Sequence, residues 1–379
     1  MNPIPLSLYI HIPWCVRKCP YCDFNSHESQ HIPEQEYITA LLNDLKQDAP
    51  FAQQRQISTI FIGGGTPSLF SAQSYDTLLN GIDAIVPIAK HAEITLEANP
   101  GTFEFNKFRD YRKTGINRLS IGVQSFASEK LLTLGRIHNS DEAVRAIQTA
   151  QDVGFDRLNI DLMHGLPNQT QRQALADLEQ ALSLQPSHLS WYQLTIEPNT
   201  QFYSKPPTLP QEDTLCDIEE SGKARLAQAG FTQYETSAYS KPGFQCAHNL
   251  NYWQFGDYLA IGAGAHGKIS NDSEQAIRRY QKTRLPKDYL NPEKPFTAKS
   301  DDVLAEDVPF EFFMNAFRLH QAIPKSLFQE RTFLSLSNKP IQANIQSALN
   351  KGLISETETH WQTTELGNRF LNSLLELFS

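Results

Sequence analysis

The chain is short of cysteine and of positive charge, and it has no long apolar run. Five cysteines in 379 residues cannot all pair with one another, and no even framework is visible, which points to a reducing compartment. No apolar stretch approaches the roughly eighteen residues of a membrane span. Met1 to Ser7 carries no charged segment ahead of an apolar core, so no secretory leader is expected and the expected location is the cytoplasm. Lys and Arg number 33 against 42 Asp and Glu, a net charge of −9. That balance argues against broad binding to nucleic acid or to an anionic membrane surface. What remains is ordinary soluble composition, 40% hydrophobic and 20% charged, in a chain long enough for a large core and more than one domain.

Strand-like and helical runs alternate. Leu6–Ile12, Ile57–Ile62, Glu93–Glu97, Arg118–Val123, Arg157–Met163 and His188–Leu194 read as strands. Helical spacing covers Glu34–Gln47, Ser71–Ile85, Phe105–Lys113, Ser128–Leu134, Ser140–Val153, Gln171–Leu184 and Glu212–Ala229. Ser140, followed by Asp141 and Glu142, reads as an N-cap, and Gly154 and Gly230 as helix stops. Such βα units imply parallel pairing. A closed barrel of this kind takes about eight units and the pattern shows fewer, so an open, partial (β/α)6 barrel is expected, with its chemistry at the C-terminal strand ends.

After Gly230 the pattern changes. Thr232–Tyr239 reads as one strand, and Tyr258–Gly267 as a buried strand entering a glycine-rich loop. The polar stretch from Asn271 to Asp307, rich in proline and lysine, reads as a connection. Beyond it come helical patterns at Glu311–Leu319 and Ile341–Asn350, a short hairpin from Gly352–Ser355 and Trp361–Thr364, and a final helix over Glu365–Phe378. This suggests a small, mostly helical, winged-helix-like domain with no strong basic cluster, better suited to covering a ligand than to binding DNA. The expected divisions are 1–240, 241–300 and 301–379.

Three cysteines stand together in Cys15-Val16-Arg17-Lys18-Cys19-Pro20-Tyr21-Cys22, while Cys216 and Cys246 are remote and without a partner motif. Thiolates suit iron–sulfur clusters and zinc. A cubane cluster normally takes four cysteines, so a local three leave one iron open; a zinc site completed by His11 or His27 is the other reading of the spacing. The flanking residues weigh on this choice. Tyr9-Ile10-His11-Ile12-Pro13-Trp14 leading into CxxxCxxC resembles the radical S-adenosylmethionine (SAM) superfamily, in the branch around oxygen-independent coproporphyrinogen oxidase.

The resemblance implies a [4Fe–4S] cluster on Cys15, Cys19 and Cys22, with SAM chelating the fourth iron. Gly63-Gly64-Gly65-Thr66-Pro67 has neither the P-loop spacing nor GxGxxG, and alone it reads as a tight turn. It matches the family's GGGTP, which lines the SAM amino group, a role that falls to Gly64, Gly65 and Thr66. Glu97 alone would be a solvated carboxylate; by resemblance it takes the ribose hydroxyls, for which a two-oxygen acceptor is apt. Gln124 matches the next SAM contact. Arg136 matches an arginine near the SAM carboxylate, where a guanidinium bonds with two parallel donors. Asp161 matches the acidic residue that ends the fifth strand, and Tyr9 and Tyr21 match aromatic positions flanking the cluster and the adenine.

Two departures separate the chain from the oxidases, and one motif points elsewhere. The oxidases carry CxxxCxxCxC and an N-terminal extension; here Phe24 stands at the last cysteine position and few residues precede the first strand. His248-Asn249-Leu250-Asn251-Tyr252-Trp253 matches the HNxxYW of the heme chaperones, oxidase-like paralogues that carry heme to respiratory proteins. Imidazole is a common heme ligand and aromatic rings pack on porphyrin faces, so His248, Asn249, Tyr252 and Trp253 are candidate heme contacts. In isolation His248 would be a satisfied polar residue, with Tyr252 and Trp253 in the core. His11 is expected to support the cluster and Cys246 to be a structural thiol. The first functional reading is a heme chaperone whose partners are heme and heme-accepting respiratory proteins, some at the membrane, with no nucleic acid and with dimerisation left open. The second is a coproporphyrinogen III decarboxylase, in which SAM cleavage would supply a radical that takes hydrogen from a propionate.

Overall fold

The computed structural model describes residues 3–102 and 105–379. Strands and helices alternate through the first two-thirds: β1 (Leu6–Ile12), α1 (Glu34–Asp48), β2 (Ile57–Gly64), α2 (Ala72–Ile85), β3 (Ile88–Ala98), α3 (Phe105–Lys113), β4 (Arg118–Gln124), α4 (Ser140–Asp152), β5 (Arg157–His164), α5 (Gln171–Ser183), β6 (His188–Gln193) and α6 (Glu212–Gln228). Then follow β7 (Thr232–Glu235), β8 (Ala238–Ser240), α7 (Ala247–Trp253), β9 (Asp257–Ile261), β10 (His266–Asn271), β11 (Ala276–Lys282) and β12 (Thr297–Asp302). These strands form one twelve-stranded sheet in the order β12-β11-β10-β9-β1-β2-β3-β4-β5-β6-β8-β7. Pairing is parallel from β9 through β6 and antiparallel at both ends. The sheet is mixed and open, with β12 and β7 as its edges.

Alternation along the strands decides where the core and the cavity lie. Leu8, Ile10 and Ile12 of β1, Ile60 and Ile62 of β2, Leu119, Ile121 and Val123 of β4, and Leu158, Ile160 and Leu162 of β5 join one apolar core under the helices. The intervening residues face inward and are mostly polar, among them Glu97, Arg118, Ser120, Gln124, Asn159, Asp161, Ser190 and Tyr192. Parallel strands buried on both faces usually read as continuous apolar runs. A polar inner face therefore marks a lumen built to hold something other than protein.

Four sequence expectations need correction. The N-cap of α4 is Asn139, not Ser140: its Oδ1 accepts from Glu142 N at 3.0 Å while Glu142 Oε2 accepts from Asn139 N at 2.9 Å, a reciprocal capping box. Thr232–Tyr239 is not one strand but the hairpin of β7 and β8. The polar stretch after Asn271 contains β11 and β12. Lys282, one of the residues that made it look solvated, is fully buried and paired with Asp44 and, at 2.7 Å, with Asp48. The last helix is broken at Phe370 into Glu365–Arg369 and Leu371–Leu375.

The C-terminal region holds α8 (Val308–Ala316), α9 (Lys325–Thr332), α10 (Lys339–Asn350) and a three-stranded sheet of Ile323–Pro324, Ile354–Glu356 and His360–Thr363. Phe312, Phe313, Phe317, Phe328, Trp361 and Phe378 belong to an apolar cluster that also takes in Phe255 and Ile277 from the sheet region. The C-terminal region touches the sheet through a bridge between Glu235 and Leu319. Among the described residues no helix is long and apolar enough to cross a membrane.

Candidate functional site

The cysteine loop leaves the C-terminal end of β1 and folds back on itself. Cys22 N donates to Cys19 O at 3.1 Å, His27 N to Pro13 O at 2.7 Å and Ser29 N to Cys15 O at 3.1 Å. His11 supports the loop rather than reaching the lumen: Nε2 bonds Asn25 O at 2.8 Å and Nδ1 bonds Tyr9 OH at 2.9 Å. The glycine loop after β2 is zipped to the residues just before Cys15, with Gly65 N on Ile12 O and Thr66 N on Trp14 O, both at 2.7 Å. Gly65 is required there, because a Cβ would stand 2.5 Å from Trp14 O.

A cavity of about 440 Å³ opens beside the loop. Cys15, Cys19, Cys22, Tyr21, Gly64, Gly65, Thr66, Glu97, Gln124, Arg136, Asp161, Asn249 and Trp253 all line it. Tyr9 does not: its ring stacks on the lining residue Phe61, with centroids 6.4 Å apart. The three thiols are free of disulfides, with Cys15 buried and the others half-buried. Burial pushes the metal-free Cys15 and Cys22 thiols up. Among the described residues no three His, Cys, Asp or Glu side chains gather tightly enough to hold one metal ion. Three free thiols on one loop beside the cavity can give one thiolate to each of three irons of a cluster. Arg136 completes this end: Nη2 donates to Gly122 O at 2.6 Å, Nη1 reaches Cys19 Sγ at 3.6 Å, and Nε is buried without a partner.

Strain and charge concentrate here. Gln124 ends β4 with φ 70°, a left-handed conformation unusual for a residue with a side chain. That turn brings its Oε1 to Tyr192 OH at 2.9 Å. Glu97 accepts from Gly64 N at 3.1 Å. Burial, and then the nearby Asp161, push its carboxyl up from 4.5 to about 8. Below about 4.5 the folded and unfolded chains both hold this proton; from there to about 8 only the folded chain does. Stability is therefore lost as pH rises through that window. Glu97→Gln should raise the Tm of ligand-free protein by a few degrees at pH 8 and leave it nearly unchanged at pH 5, on the order expected for a chain of this size. Thermal scans at the two pH values check this; an equal shift at both would remove the ionisation argument.

The HNxxYW segment is α7, and helical phase divides it in two. Asn249 and Trp253, four apart, line the cavity. His248 and Tyr252, also four apart, do not. His248 is 1% exposed, with Nδ1 bonded to Thr59 Oγ1 at 2.8 Å and Nε2 to Tyr252 OH at 2.8 Å. Burial, then Arg118, hold its imidazole down to about 3. With both ring nitrogens engaged, His248 offers no free lone pair to a ligand in this conformation. Its backbone N and the Cys246 thiol both bond Glu93 Oε1, at 3.2 and 3.5 Å, so Cys246 anchors the start of α7. Sequence reasoning missed Arg118, Tyr192, Glu235 and Arg318 on the cavity wall. Only the alternation of β4 hinted at Arg118.

An open α/β sheet with a cysteine-flanked lumen at its strand ends defines a radical SAM protein, and the radical SAM superfamily domain matches residues 9–181. The HemN C-terminal domain matches residues 303–370. The chain is 55% identical over 375 residues to the heme chaperone HemW of Escherichia coli (strain K12), covering 99% of this chain and 98% of that one. It is 32% identical over 380 residues to the heme chaperone HemW of Bacillus subtilis (strain 168), covering 98% of each. Within the radical SAM class, the chain belongs to the HemW family. The solved structure of the coproporphyrinogen III oxidase HemN from Escherichia coli superposes with a TM-score of 0.84 over 99% of this chain and 90% of that one, at 23% identity, a likeness of fold.

Proposed function

We propose that this protein is a heme chaperone that carries a [4Fe–4S] cluster and SAM and passes heme to heme-accepting proteins of the respiratory chain, at or near the membrane. Whole-length similarity to HemW, at 55% identity over 99% of the chain, carries this reading. In it Cys15, Cys19 and Cys22 hold the cluster, which when bound supplies an iron open to SAM and a source of one electron. Arg136 receives the SAM carboxylate, with its unpartnered Nε available as a further donor. Gly64, Gly65 and Thr66 present the glycine-loop backbone, and Glu97 and Asp161 face the ribose side. Asn249 and Trp253 offer an amide and an aromatic face to heme, while His248 and Tyr252 hold α7 against β2. Residues 1–240 form the core, 241–300 add α7 and the antiparallel extension, and 301–379 cover the lumen, reaching it through Arg318.

One anaerobic experiment tests the reading. Cluster-loaded protein is titrated with hemin and, separately, incubated with SAM, a strong reductant and coproporphyrinogen III. Hemin binding without protoporphyrinogen formation is expected; stoichiometric decarboxylation would establish the enzyme reading instead and make Phe24 an irrelevant difference. His248→Ala should also lower the Tm by a few degrees, since it leaves the Tyr252 hydroxyl unpartnered and the Thr59 hydroxyl with Ser7 alone, at a cost of about 1–3 kcal/mol. The heme-iron spectrum should survive the change. A lost axial-ligand signature would mean that α7 releases both bonds of His248 when heme arrives.

A further inference from the structure

The lumen has a second charged end. Arg118 begins β4, whereas Gly122 and Gln124, which meet Arg136 and Tyr192, lie at its other end. At a rise of about 3.3 Å per residue, Gly122 and Gln124 lie roughly 13 and 20 Å along the strand from Arg118. Arg118 is 2% exposed and lines the cavity, and among the described residues its guanidinium makes no hydrogen bond or ion pair. Every carboxylate near it is engaged elsewhere. Glu93 takes Arg157 at 3.2 Å and the start of α7. Asp161 takes Asn159 at 2.7 Å and Ser120 at 3.0 Å, and Glu235 takes Arg318 at 3.5 Å. Glu93 and Asp161 lie close enough to favour its charge, but among the described residues no acceptor meets the guanidinium directly, and buried donors left without acceptors are costly.

The wall around this end suits a flat, acid-bearing ligand. Arg118 lies near Cys246 at the start of α7, the helix whose Asn249 and Trp253 line the cavity, and Arg318 stacks on Trp253 with its guanidinium carbon 4.4 Å from the ring centroid. The Arg318 Nε and Trp253 Nε1 donors are buried without partners. A planar guanidinium recognises a carboxylate through two parallel bonds. We propose that Arg118 anchors a propionate carboxylate of the tetrapyrrole, which enters the lumen at the Trp253 end, opposite the SAM end. This rests on the heme reading above and adds a specific contact to it. The SAM carboxylate is the competing source of a negative charge, but Arg136 beside the cysteines already provides for it.

The test compares hemin with hemin dimethyl ester, whose carboxylates are blocked, on wild type, Arg118→Gln and Arg118→Lys, with SAM affinity of the cluster-loaded proteins measured alongside. Wild type should bind hemin at least about tenfold tighter than the ester, as for a buried charge-assisted pair. Arg118→Gln should abolish that preference while leaving ester and SAM affinities unchanged, and Arg118→Lys should restore part of it. Equal losses for hemin and ester, or a loss confined to SAM, overturn the assignment. If Arg118→Gln does not fold, the hemin-to-ester ratio of wild type decides, and a ratio near one overturns it. Failure of wild type to bind hemin at all removes the heme reading as well; equal hemin binding by wild type and Arg118→Gln removes only the anchor.

Discussion

Cys19→Ala should reduce iron and sulfide incorporation on anaerobic reconstitution by tenfold or more, with loss of the cluster's visible absorption. The magnitude follows from removing one of three local ligands, since loss of even a supporting outer-shell group costs on the order of 10- to 100-fold in metal affinity. Cys19 is also the thiol touched by Arg136, at 3.6 Å, so the SAM end loses its framing at the same time. The comparison lies within the same chain. Cys216, exposed on α6, has no place at the cavity, and Cys246 is buried against Glu93. Cys216→Ala should load like wild type. Cys246→Ala should load as well but melt earlier. Equal loading by Cys19→Ala and wild type would mean that the loop holds no cluster.

Gly65→Ala should be as damaging to SAM binding as a cysteine change is to iron. The added Cβ would meet Trp14 O at 2.5 Å, its carbonyl carbon at 2.8 Å and its nitrogen at 3.0 Å. All three are backbone atoms, which cannot rotate away as a side chain does. The glycine loop must part from Ile12 and Trp14, breaking the two 2.7 Å bonds that seat it. Overpacking of this kind costs about 1–3 kcal/mol, and the displaced loop should cost at least about tenfold in SAM affinity, measured calorimetrically on loaded protein. Gly63→Ala is the milder neighbour: its Cβ would meet only side chains, Phe61 at 3.0 Å and Glu97 at 3.2 Å. Similar losses for both variants would show that the loop tolerates displacement and that the clash is not what matters.

The parallel strands were legible because each carries a plain period of two, and the motif residues were legible because they stand where those strands end. Two kinds of feature were not. Lys282 looked solvated because a lysine carries no sign of its partner: Asp44 and Asp48 lie on α1, more than 200 positions earlier in the chain, and only the fold joins them. Arg118 was hidden for the opposite reason. It opens a strand, where an arginine is usually at the surface, and its isolation shows only once the surrounding carboxylates are seen to be taken. The α7 motif was half legible: the spacing pairs His248 with Tyr252 and Asn249 with Trp253, but which pair meets the lumen depends on how the helix is set against β2.

The placement of β1 has a consequence for the timing of assembly on the ribosome. β1 is flanked on one side by β2 and on the other by β9, in register from Leu6 with Asp257 to Ile10 with Ile261. Asn25, just past the cysteines, donates to Ala263 O and Arg284 O, both at 2.8 Å. The cysteines are thus among the first residues to emerge and among the last to be framed. Until about residue 284 of 379 has left the exit tunnel, the nascent loop lacks these contacts. On the proposed reading, the loop is framed for a cluster only after that point, and chains stalled before it should take up iron poorly even though all three ligands are present.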